Sequence, residues 1–145
     1  MKILEKNKMI TRSAKETKKI AGKLAESFTG GEIILFRGEV GAGKTVFTQG
    51  ICEKLGVKDY VNSPSYVLLN TYKSEKFNFY HYDLYRIGSI DELTELGYYE
   101  FPGKPENITI IEWSELLECE MPESYIIVEI KVIDSKTREI IITRG

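Results

Sequence analysis

Residues 38–45 read GEVGAGKT, a stretch that fits G-x-x-x-x-G-K-[ST]. Each residue type answers a requirement of phosphate binding. Gly38, Gly41 and Gly43 allow positive φ and let the backbone approach phosphate oxygens with no Cβ in between. Glu39, Val40, Gly41, Ala42, Gly43, Lys44, Thr45 and Val46 would then line a nucleotide cradle, with main-chain N–H groups and a helix N-terminus turned toward the anion. Lys44 supplies a point charge for the β- and γ-phosphates, and the Thr45 hydroxyl a ligand for Mg²⁺. The stretch follows an apolar run and opens a helical one, the context that separates a phosphate loop from a plain glycine turn.

A Mg²⁺–nucleotide also needs a carboxylate from the end of a neighbouring strand. Two strands end this way. FYHYDLYRI (79–87) sets down Asp83, and ITIIEW (108–113) sets down Glu112. The unbroken apolar run of ITII is that of a central strand covered on both faces, so Glu112 is expected on the metal side with Thr45. On the more amphipathic strand, Phe79, His81 and Asp83 share one face and Tyr80, Tyr82 and Leu84 the other. Asp83 is expected to orient or deprotonate the attacking water or to hold a metal-bound water, and Asp83 and Lys44 are the expected catalytic residues.

Other residues admit two readings each. Ser63 and Ser65 flank Pro64, which restrains its neighbours to extended geometry. That turn, with Tyr66, either senses a γ-phosphate as switch segments do or is only a turn. Arg86 either neutralises transition-state charge or meets a partner acid, or it is an exposed arginine tied to a surface carboxylate. His81 is expected to be a packed, hydrogen-bonded core residue. The tyrosines at 80, 82, 85, 98 and 99 are core or a docking face.

The elements that must position these groups follow from pattern. Ser13-Ala-Lys-Glu16 fits a capping box, Ile20, Leu24 and Phe28 recur every fourth residue, and Gly30-Gly31 stops the run, so the chain is expected to open with a helix. EIILF (32–36) is a short inner strand, and a second helix runs from about 44 to 55 before Gly56. SYVLLNTY and FNFYHYDLY form a hairpin about 73–76. Ser89-Ile-Asp-Glu92 caps a short helix ending at Gly97, 97–107 is loop, ITIIEW a buried strand and SELLECE (114–120) a helical turn or two. SYIIVEIKVID and TREIIITR close the chain as a hairpin around Ser135-Lys136. Mixed βα units and hairpins predict an α/β sandwich around a mixed, centrally parallel sheet, in one domain over 1–145.

Composition removes other classes. A net charge of −2 with no basic block gives free-standing nucleic-acid binding little support. Cys52 and Cys119 form no CxxC pair and read as thiols of a reducing cytoplasm. The N-terminal residues carry scattered charges and no apolar core, unlike a signal peptide.

Taken in order, GEVGAGKT with FTQGICEKLG, VNSPSYVLLNTY, YHYDLYRI and IIEW resemble the TsaE (YjeE) family, from about Thr11 to the closing hairpin. The resemblance implies a P-loop fold and ATP hydrolysis, weak in the isolated protein. It also implies coupling to the TsaB and TsaD subunits that form threonylcarbamoyladenosine at adenosine-37 of tRNAs reading codons that start with A, with tRNA met only through that complex. It assigns metal ligation to Thr45 and Glu112, a first switch-like loop to Ser63–Tyr66 and a second to Asp83–Arg86. Ser65, Tyr82 and Glu39 are mild departures from the family's usual threonine, phenylalanine and aspartate.

The runner-up is a small-molecule or nucleoside kinase, but its five scattered arginines offer no lid cluster. A signalling GTPase would need N-K-x-D and the glycine of D-x-x-G, and neither is present. A non-enzymatic adaptor would bind ATP and never turn it over.

Overall fold

The computed structural model of the chain describes residues 3, 5–39, 42–59, 61, 68–84, 87, 89–112 and 122–145. In chain order the elements are β1 (Glu5–Thr11), α1 (Ala14–Ala25), β2 (Ile33–Gly38), α2 (Lys44–Lys54), β3 (Leu69–Lys73), β4 (Asn78–Asp83), α3 (Ile90–Glu95), β5 (Asn107–Glu112), β6 (Ile126–Val132) and β7 (Arg138–Arg144). The strands join one sheet in the order β1-β7-β6-β2-β5-β4-β3. The central four, β6, β2, β5 and β4, run parallel. The outer strands β1, β7 and β3 pair antiparallel with their neighbours. This is the expected mixed, centrally parallel α/β sheet.

Alternation along the strands divides the core in two. Ile34, Phe36, Phe79, Ile108, Ile110 and Val128 face α1 and α2, where they meet Ala21, Ala25, Phe47 and Ile51. On the opposite face Ile33, Leu35, Tyr82, Leu84 and Ile111 meet Leu93 and Tyr98 around α3. The result is three layers. All six residues of β5 are buried, as its apolar run requires. The helices on the first face approach closely: a Cβ built on Gly50 would lie 2.7 Å from Ala21 Cβ and 2.7 Å from the Lys18 carbonyl oxygen.

Two expectations are corrected here. The chain opens with a strand before the first helix. β1 is an edge strand with mostly exposed residues, and its Lys-Asn-Lys charges guard an open edge; it has no apolar alternation to announce it. Thr11 at its end is buried and hydrogen-bonds Thr17 Oγ1 at 2.8 Å, which joins the strand to α1. The helix itself ends at Ala25, short of the glycine pair. Ser27 Oγ donates to the Leu24 carbonyl, and Phe28 is buried from the turn that follows.

The caps at Ser13 and Ser89 form as expected, each hydroxyl accepting the N–H three residues on. The 73–76 turn closes through Ser74 N–H to the Phe77 carbonyl. The SELLECE segment lies outside the described residues. Among the described residues no helix is long and apolar enough to cross a membrane.

Candidate functional site

The parallel strands β2, β4 and β5 end on one edge of the sheet, and α2 begins above that edge. β2 finishes at Gly38, whose φ of 154° and close backing by β6 both demand glycine: an added Cβ would stand 2.7 Å from the Ile130 carbonyl oxygen. Gly43 N-caps α2 with φ 108°. Among the described residues an added Cβ there would meet nothing within 4 Å, so its glycine serves the backbone angle and leaves open space in front.

The start of α2 differs from the other two described helices. α1 and α3 have serine caps and acids in their first turns, which satisfy free N–H groups and suit the positive helix end. α2 has no side-chain cap and no acid in its first turn. It opens on Lys44, a cation at the end where a cation is disfavoured. The Lys44 ammonium is folded back to donate to the Gly38 carbonyl at 3.2 Å. An uncapped helix start with a lysine bent over it is a local conflict that an anion would resolve.

Beside it stand the two acids. Asp83 and Glu112 are register partners at the ends of β4 and β5, and Phe36 of β2 pairs with Glu112 on its other side. All three side chains point to the α2 face. Asp83 is half-buried and Glu112 only 7% exposed. Burial pushes the Glu112 carboxyl up, but the neighbouring His81 ring and the Lys44 ammonium more than offset this and hold it below its ordinary value. Glu112 is therefore an ionised, acceptor-only group within reach of the Lys44 charge.

The structure brings together Gly38, Glu39, Ala42, Gly43, Lys44, Thr45 and Val46 with Asp83 and Glu112. Ala42 is buried and its N–H bonds the Glu39 carbonyl at 3.1 Å; Thr45 and Val46 are half-buried in the first turn of α2. Val40, Gly41, Ser63, Ser65, Tyr66 and Arg86, together with Pro64, Tyr85 and Trp113, lie outside the described residues. Of the tyrosines, Tyr82 and Tyr98 are core, with rings edge to face at 6.3 Å, while Tyr99 is 52% exposed.

Two features escaped the sequence reading. Arg138, at the start of β7, donates from Nε to the Ala42 carbonyl at 3.0 Å and from Nη1 to the carbonyls of Asp134 (2.7 Å) and Thr137 (3.1 Å). One guanidinium thus ties the β6–β7 turn to the glycine loop, a contact no local pattern announces. His81 is fully buried as expected, yet among the described residues neither ring nitrogen has a hydrogen-bond partner, where a bonded core histidine was expected. Its Nε2 stands 3.9 Å from Glu112 Oε1.

Donor chemistry at this edge fits a hard cation. Thr45, Asp83 and Glu112 offer only oxygen, which suits Mg²⁺. Among the described residues no three of His, Cys, Asp and Glu gather into a metal cluster. Magnesium commonly binds through one or two carboxylates with phosphates and water, so these few donors are the right kind and number.

The family model described as "Threonylcarbamoyl adenosine biosynthesis protein TsaE" matches residues 11–140. Relatives named tRNA threonylcarbamoyladenosine biosynthesis protein TsaE include one from Rickettsia felis, 40% identical over 131 residues that cover 90% of this chain and 75% of that protein. One from Bacillus subtilis is 36% identical, covering 92% and 82%, and one from Aquifex aeolicus 37% identical, covering 94% and 95%. The crystal structure of Bacillus subtilis YdiB matches with a TM-score of 0.78 at 29% identity, over 99% of this chain and 88% of that one. The matched span takes in the glycine loop, both acids and the strands that carry them, and the chain belongs to the TsaE family.

Proposed function

We propose that this protein is a P-loop ATPase that hydrolyses ATP in association with the TsaB/TsaD complex during threonylcarbamoyladenosine formation on tRNA. One observation carries the reading: the uncapped, acid-free start of α2, with Lys44 folded over it, faces a register-matched pair of carboxylates. The relatives' names supply the tRNA pathway, and a cytoplasmic setting follows from it.

In this reading the first-turn N–H groups of α2 and the loop between Gly38 and Lys44 receive the phosphates. Lys44 exchanges the Gly38 carbonyl for β- and γ-phosphate oxygens, where its charge offsets what builds up on the transferring group. Thr45 and Glu112 would hold Mg²⁺, which when bound neutralises charge across the β- and γ-phosphates. Asp83, two residues beyond His81 on the same strand face, orients the attacking water or accepts its proton. Tyr66 and the hydroxyls of Ser63 and Ser65 would sense the γ-phosphate, and Arg86 would meet the partner or the transition state.

Beyond Arg86 the sequence offers no evident arginine finger, and a missing finger is worth about 10³–10⁵ in rate in related enzymes. Hydrolysis by the isolated chain is therefore expected to be slow and to rise when the partners dock. The test is phosphate release by wild type and Lys44→Ala, alone and with purified TsaB and TsaD. The reading expects stimulation of wild type only. Label transferred from ATP to a nucleoside, with no free phosphate, would point to a kinase instead.

A further inference from the structure

His81 is the only histidine in the chain, and it is fully buried. A neutral imidazole carries one donor and one acceptor, and buried polar atoms are nearly always paired. Here both nitrogens go without a partner among the described residues. Of the two, Nε2 stands 3.9 Å from Oε1 of Glu112, just beyond hydrogen-bonding distance. The placement is built into the sheet. His81 pairs in register with Ile110, and Glu112 is the next residue of β5 on the same face.

We propose that His81 is a positioning residue for Glu112: its Nε2–H closes onto Oε1 when the site fills and fixes the carboxylate in its metal-side orientation. Two properties favour this over a ring that merely fills volume. Glu112 is nearly buried on the same sheet face as the ring, so the imidazole N–H is a donor its carboxylate oxygen can take. A space-filling role would be met better by phenylalanine, which matches Phe79 on the same face and leaves no polar atom unsatisfied. Carboxylates that serve metals are commonly oriented by such outer partners, whose loss costs about 10–100-fold in metal affinity.

The inference rests on the reading of Glu112 as the metal-side acid, and the experiment separates the two. Binding of a non-hydrolysable ATP analogue to the full chain is followed against Mg²⁺ concentration for wild type, His81→Phe and His81→Gln. Expected for His81→Phe is a Tm equal to or above wild type, a Mg²⁺ midpoint raised about 10-fold or more, and unchanged affinity in the absence of metal. His81→Gln, whose amide N–H can reach the same oxygen, should recover most of the loss. In wild type, ¹⁵N spectra of the single imidazole at constant pH should show the proton on Nε2 and a shift of that resonance when analogue and Mg²⁺ are added together.

A wild-type midpoint in His81→Phe, or an imidazole that does not respond, overturns the inference; the spectrum decides if that variant fails to fold. Wild type that binds the analogue equally with and without Mg²⁺ overturns the reading of Glu112 itself, and the inference with it.

Discussion

Asp83 and Glu112 stand opposite one another as the last residues of two adjacent parallel strands, with their side chains on the face that carries α2. Sheet geometry alone sets two acids a strand spacing apart beside the start of that helix. Their environments differ. Glu112 is buried and held ionised by its neighbours, whereas Asp83 is half-exposed.

That difference predicts a division of labour. Glu112→Ala should weaken Mg²⁺-dependent nucleotide binding, whereas Asp83→Ala should spare binding and lower partner-stimulated turnover by about 10² or more, the usual contribution of a positioned base. Calorimetry and phosphate release on the two variants check this. Normal hydrolysis by Asp83→Ala would contradict the assignment.

Arg138 braces the glycine loop from outside. In Arg138→Met the carbonyls of Ala42 and Asp134 lose the guanidinium as a donor, while the Thr137 carbonyl keeps the Ile133 and Asp134 N–H groups. Hydrogen bonds from charged groups contribute about 1.5–3 kcal/mol when buried; this guanidinium is only part-buried, so a stability loss of about 1 kcal/mol is expected. Nucleotide affinity should fall by more than that change in folding explains. Unaltered affinity would show that the loop holds its shape without the brace.

Gly50 sets the distance between α1 and α2. Alanine gains about 1 kcal/mol in helix propensity, but its Cβ would enter space held by Ala21 and by Lys18 backbone. Overpacking costs about 1–3 kcal/mol, and backbone cannot step aside. Gly50→Ala should therefore lower Tm by several degrees. A rise would mean that the helices separate freely.

Cys52 gives a test at alkaline pH. Burial, with help from Glu53, pushes its thiol from the ordinary value of 9.0 up to about 12. The folded chain keeps a proton that the unfolded chain releases, so this group's contribution to stability falls as pH rises from 9.0 toward 12, by about 1.4 kcal/mol per unit. In a Cys119→Ser background, the remaining thiol should resist alkylation at pH 8 and react once urea unfolds the chain. Reaction of the native protein at the rate of a free thiol would contradict the burial.

Local signals were the legible ones. The glycine loop, the serine caps and the buried run of β5 each declare themselves within a few residues, and the acids stood out because they end apolar strands. Pairings between distant segments left no such mark. β1 is polar because it guards an edge, so its place beside β7 cannot be read from alternation. Arg138 looks like any surface arginine until the fold sets it against Ala42. His81 shows its burial through the Phe79-His81-Asp83 face, but its place beside Glu112 depends on which strand lies next to β4.

The most direct test of the central claim is titration of a non-hydrolysable ATP analogue into wild type and Lys44→Ala, each with and without Mg²⁺. The account predicts Mg²⁺-dependent binding by wild type that weakens by about 10-fold to 100-fold in Lys44→Ala, the worth of one or two charge-assisted hydrogen bonds. Equal affinity of the two proteins in the presence of Mg²⁺ would contradict it.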